Sequence, residues 1–135
     1  MIHDNDSMAA HLAVEIEADL LILMTDVDGV YTLPPGKENS LLISTYNPKE
    51  YESITYGQKS SVGSGGMQSK VNSALWSLDR GVSCVICNAR EPNGIHKIIH
   101  GKNIGTFFTH SNQKTPLAGD MAIKSNYRLN FFRHN

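Results

Sequence analysis

Apolar and polar positions sort into helix-period and strand-length segments along most of the chain. In residues 7–18, Met8, Leu12, Ile16 and the alanines recur at spacings of three and four, which predicts a helix. Asp4, Asn5 or Asp6 can cap its start, because a short side-chain oxygen accepts a free N–H of the first turn. Leu20-Leu21-Ile22-Leu23-Met24 is continuously apolar, which predicts a strand buried on both faces of a parallel sheet. Thr25-Asp26-Val27-Asp28-Gly29 reads as a turn, and Val30-Tyr31-Thr32 as a short extension. Pro34, Pro35 and Gly36 make 33–40 a loop. A short strand fits 41–46, while 48–56 is ambiguous.

A second block opens on the glycine-rich stretch Val62-Gly63-Ser64-Gly65-Gly66. It leads into a helix from Met67 to Asp79 with Val71, Ala74, Leu75 and Leu78 on one face, ended by Gly81 as a left-handed cap. Strands are predicted at 82–87 and 104–109, with a short helix after Asn93-Gly94. This alternation predicts an α/β fold of three layers, α/β/α, with a mostly parallel sheet. Residues 1–109 form the organised part, and 110–135 read as a polar, poorly ordered tail.

Composition narrows the function classes. With 40% hydrophobic and 19% charged residues, the chain holds enough apolar material for a core. A net charge of -1 argues against nucleic-acid binding, which needs a basic field. No apolar run approaches the ~20 residues of a membrane span, and the first residues lack the features of a secretory signal. An intracellular protein is therefore expected. The two cysteines, Cys84 and Cys87, have C-x-x-C spacing but fall inside a strand pattern. There they point to opposite faces, so a structural role is expected. His96 and His100 lie four apart with no evident third ligand, and no metal site is expected.

Three segments could carry chemistry. The glycines before the 67–79 helix let backbone N–H groups approach an anion, the helix dipole favours phosphate there, and Lys70 adds a full charge. The order of residues is not that of a Walker A loop, and a plain flexible loop is the competing reading. Thr25-Asp26 follows a buried strand, where ligands of open α/β sheets bind; a backbone-satisfying turn aspartate is the alternative. Asp4-Asn5-Asp6 could cap a helix, hold Mg²⁺ through water or orient a lysine.

Taken in order, Asp4-Asn5-Asp6-Ser7-Met8, Leu20 to Tyr31 and Gly63-Ser64-Gly65-Gly66-Met67-Gln68-Ser69-Lys70 resemble the amino-acid kinase family, and within it the glutamate 5-kinases. The wording of 56–63, 74–78 and 105–108 is most similar to the kinase domain of the bifunctional pyrroline-carboxylate synthases of eukaryotes. The resemblance implies phosphorylation of the γ-carboxylate of L-glutamate by ATP with Mg²⁺, the first step of proline synthesis, in a homo-oligomeric parent. It implies that Asn5 binds glutamate, that Asp6 positions catalytic lysines, and that Thr25 and Asp26 lie in the nucleotide site. It implies that Ser64, Gly65, Gly66, Met67, Gln68, Ser69 and Lys70 line the ATP phosphates, with Lys70 catalytic.

The same resemblance implies an amino-terminal strand, a loop bearing a second lysine, and further glutamate-site residues ahead of Asp4. The chain is accordingly expected to be truncated at the amino-terminal side of the fold, with negligible turnover alone. Acetylglutamate kinase, aspartokinase and uridylate kinase chemistries, or a non-catalytic ATP-binding or oligomerising fragment, are the alternatives.

Overall fold

The computed structural model describes residues 4–34, 36–51 and 66–110. Its elements run α1 (Asn5–Glu15), β1 (Leu20–Thr25), β2 (Thr45–Tyr46), α2 (Gly66–Asp79), β3 (Ser83–Asn88), α3 (Gly94–Ile99) and β4 (Thr106–Phe108). The four strands form one sheet in the order β1-β3-β4-β2. β1 pairs parallel with β3 and β2 parallel with β4, while β3 and β4 are antiparallel. The predicted α/β class and mostly parallel sheet are therefore observed.

Strand alternation distributes the core. Leu21, Leu23, Cys84, Ile86 and Phe108 join Ala10, Ala13, Val71, Ala74 and Leu78 of α1 and α2 in one cluster. Val85, Cys87 and Phe107 join Ile98 of α3 in a second cluster, with Leu20 and Ile22 packed against it. Helices thus cover both sheet faces, as the three-layer expectation requires. Cys84 and Cys87 fall into different clusters, one on each face.

The structure selects among the α1 apolar positions and corrects the reading of β1. Of the α1 positions, Ala10 and Ala13 are buried, whereas Met8, Leu12 and Ile16 are 56%, 60% and 46% exposed. Small side chains let the α1 backbone lie close to β1 and α2. The period marks the helix but not its buried face. Nor is β1 buried on both faces: Leu20 and Ile22 are half-buried and Met24 is exposed. β1 ends the strand order, so the cluster around Ile98 of α3 covers Leu20 and Ile22 only in part. The predicted strand over 41–46 shortens to β2, preceded by an antiparallel bridge between Tyr31 and Leu42.

α2 follows its prediction closely. Val71, Ala74 and Leu78 are buried and Leu75 is partly buried. Gly81 takes φ +89°, and the Val82 N–H returns to the Ser77 carbonyl at 2.9 Å, closing the helix end. This turn sends the chain directly into β3, so α2 runs antiparallel to it. The short turn from Ile16 to Asp19 does the same for α1 and β1. Both helix N-termini therefore lie at the sheet end where β1 and β3 finish.

Thr106 pins that end. Its buried hydroxyl donates to the Ile43 carbonyl at 2.6 Å and accepts from the Val30 N–H at 2.9 Å. Thr106→Val keeps the shape and removes both bonds, leaving a buried donor and acceptor unmet. A loss of about 2–4 kcal/mol is expected in urea unfolding. A loss under about 0.5 kcal/mol would show that the hydroxyl is dispensable.

Candidate functional site

Asp4, Asn5 and Asp6 divide the roles that the sequence left open. Asp4 is the N-cap of α1: its Oδ1 accepts the Ser7 N–H and the Ser7 hydroxyl, each at 2.7 Å. Asp6 lies two residues further in, within the first turn, and takes no part in the cap. Its Oδ2 stands 3.1 Å from Lys70 Nζ, and both side chains are 18% exposed. Asn5 is exposed at the first residue of α1. A second link runs beside the ion pair, from the Ser69 hydroxyl to Asp4 Oδ2 at 2.5 Å. Consecutive residues of α2 thus engage alternate residues at the start of α1.

This arrangement follows from packing. α1 and α2 lie side by side on one sheet face through Ala10, Ala13, Val71 and Ala74. Their first turns meet because both helices begin at the same sheet end. Two helix N-termini, one ammonium and two carboxylates converge there.

Thr25 and Asp26 close β1 at the same sheet end. The Thr25 hydroxyl reaches Asp26 Oδ1 at 3.4 Å, and Asp26 is exposed. The Thr25 carbonyl accepts the Ala89 N–H at 2.8 Å. Asn88, opposite Thr25 in the register, donates from Nδ2 to Asp28 Oδ1 at 3.2 Å. Sequence reasoning missed both Asn88–Asp28 and Ser69–Asp4. The first needed the parallel register. The second had a signal in the serine beside Lys70.

Gly66, Met67, Gln68, Ser69 and Lys70 form the first turn of α2, with Gly66 at φ +47° and Gln68 exposed. Ser64 and Gly65 lie outside the described residues, as do 111–135 and most of the ambiguous 48–56 segment. Among the described residues no three His, Cys, Asp or Glu side chains could hold a metal ion together. The His96 and His100 rings sit 4.1 Å apart on the exposed side of α3, and His100 Nδ1 is 2.8 Å from the His96 carbonyl oxygen.

The cysteines are structural thiols. Burial pushes the Cys84 thiol far above its ordinary range; the Asp6 and Cys87 charges add to this, and a backbone hydrogen bond at Leu23 opposes it. Burial, with Glu91 adding, also raises Cys87. Unfolded thiols ionise near pH 8.5. The folded chain keeps protons that the unfolded chain releases above that pH, so stability falls as pH rises. The urea midpoint should drop between pH 8 and 10, and drop less in Cys84→Ala/Cys87→Ala. Equal slopes in both proteins would remove the thiols from the account.

Residues 1–88 match the profile of the amino acid kinase family. The Oryza sativa subsp. japonica protein Delta-1-pyrroline-5-carboxylate synthase 1 is 48% identical over 110 residues, covering 81% of this chain and 15% of that protein. Glutamate 5-kinase of Clostridium acetobutylicum is 38% identical over 113 residues, covering 82% of this chain and 42% of that protein. The chain therefore spans a minor part of each relative. Uridylate kinase from Archaeoglobus fulgidus superposes with a TM-score of 0.59 at 24% identity, over 80% of this chain and 48% of that one. No described helix is long and apolar enough to cross a membrane.

Proposed function

Because the chain belongs to the amino acid kinase family, we propose that it carries the nucleotide side of a glutamate 5-kinase, which transfers the γ-phosphoryl group of ATP to the γ-carboxylate of L-glutamate. One observation carries this reading above the others. Lys70, in the first turn of α2, is held by Asp6 at the sheet end where phosphate would meet helix N–H groups.

The chemistry needs that combination. The acceptor carboxylate is already ionised, so no general base is required. What is required is to bring two anions together and offset the charge on the transferring group. In this reading Lys70 Nζ faces the phosphates, while Asp6 fixes its position without neutralising the field of the helix. The stretch from Ser64 to Ser69 lines the phosphates, Thr25 and Asp26 hold the nucleotide, and Asn5 meets glutamate. Mg²⁺ fits as an ion carried by the triphosphate, given the lack of a three-ligand protein cage among the described residues.

A second reading, ATP binding without turnover by these 135 residues alone, is favoured by the 42% of the Clostridium kinase that the match covers. Titration with ATP–Mg²⁺ and an ATP-dependent hydroxamate assay separate the two. Saturable ATP binding supports the nucleotide side. Turnover selective for glutamate over N-acetylglutamate, aspartate and UMP supports the full activity, and binding without turnover selects the second reading. No affinity for ATP contradicts both.

A further inference from the structure

We propose that Ser69 is a positioning residue: its bond to Asp4 sets where Lys70 presents its ammonium group. This rests on the reading of Lys70 as a phosphate ligand and revises the expectation that the Ser69 hydroxyl itself lines the phosphates. That hydroxyl has one proton, and the proton is directed at Asp4 Oδ2 at 2.5 Å. Asp4 is in turn anchored by its other oxygen, which takes the Ser7 N–H and hydroxyl. The start of α1 is thereby a rigid acceptor for the start of α2.

The geometry makes the link specific. Lys70 is the next residue after Ser69, and Asp6 lies two residues after Asp4. Fixing the Ser69–Asp4 contact therefore fixes the approach of Lys70 to Asp6 at 3.1 Å. The lysine stem is long and rotatable, so a single ion pair with Asp6 would leave Nζ several positions of similar energy. A neighbouring charge-assisted hydrogen bond, short and partly buried, selects one of them. The order lost without it falls on ligand binding, because positioning is what the ammonium contributes.

The test is a mutant cycle on the 135-residue chain, read by ATP–Mg²⁺ titration and thermal unfolding. Ser69→Ala keeps a good helix former in place. It should weaken ATP binding roughly three- to tenfold. Ser69→Thr, which retains the hydroxyl, should restore most of the affinity. In a Lys70→Ala background, Ser69→Ala should cost almost nothing further, because its effect passes through the ammonium. A merely structural serine would lower the melting temperature and weaken binding equally in both backgrounds, which overturns the proposal. If Lys70→Ala weakens binding and Ser69→Ala does not, the positioning role fails while the kinase reading stands. If the unmutated chain has no ATP affinity, both fall.

Discussion

Lys70→Ala is expected to weaken ATP–Mg²⁺ binding by about ten- to a hundredfold while leaving the helix and sheet intact. The magnitude follows from deleting one charge-assisted contact to phosphate in a partly enclosed site, about 1.5–3 kcal/mol. A second effect acts in the same direction. Asp6, 18% exposed and relieved of its cation, would then face the phosphates as a like charge. The fold should tolerate the change: alanine is a strong helix former, and the buried face of α2 is Val71, Ser73, Ala74, Ser77 and Leu78. Folding costs are expected to stay near 1 kcal/mol, the scale of a partly exposed ion pair. Titration calorimetry beside circular dichroism checks both halves. Unchanged affinity would reduce Lys70 to an inter-helix tie.

Gly105→Ala is expected to cost about 3 kcal/mol or more of stability. Gly105 sits at φ +71°, where an L side chain is strained. Its position also has no room: an added Cβ would lie 2.2 Å from the Ile86 carbonyl oxygen and 2.9 Å from Cys87 Cβ. Both neighbours belong to β3, which is central in the sheet and cannot retreat. Strain and overpacking therefore add. Gly81→Ala separates the two causes. Gly81 has φ +89° but nothing within 4 Å of a would-be Cβ, so its cost should be only the backbone part, about 1–2 kcal/mol. Equal urea midpoints for the two variants would show that the clash at Gly105 is relieved by backbone movement.

The sequence disclosed the sheet and the helices because their signals are local. Leu20 to Met24 and the stretch up to Cys87 read as strands, and Gly81 as a helix end, from their own few residues. Direction of burial was not local. In α1 the period takes in Met8, Leu12, Ile16 and the alanines alike, and close packing chose Ala10 and Ala13. The antiparallel β3–β4 pairing was equally hidden, since no residue states which way a chain returns after a six-residue helix. At the candidate site, residue types were legible, and a lysine for Asp6 was implied by the resemblance, but the Ser69 partner of Asp4 was not legible. Asp6 and Lys70 stood out as chemistry. That Asp4 would cap α1 and also receive Ser69 depended on two helix starts meeting 65 residues apart in the chain.

The most direct measurement is amide chemical-shift mapping of the isotope-labelled chain with a non-hydrolysable ATP analogue and Mg²⁺. Concerted shifts at Gly66 to Lys70 and at Thr25 and Asp26, saturating with one affinity, are the predicted result. Saturable shifts confined to the α3 side of the sheet, or no shifts at millimolar nucleotide, would place the triphosphate away from Lys70 and contradict the assignment.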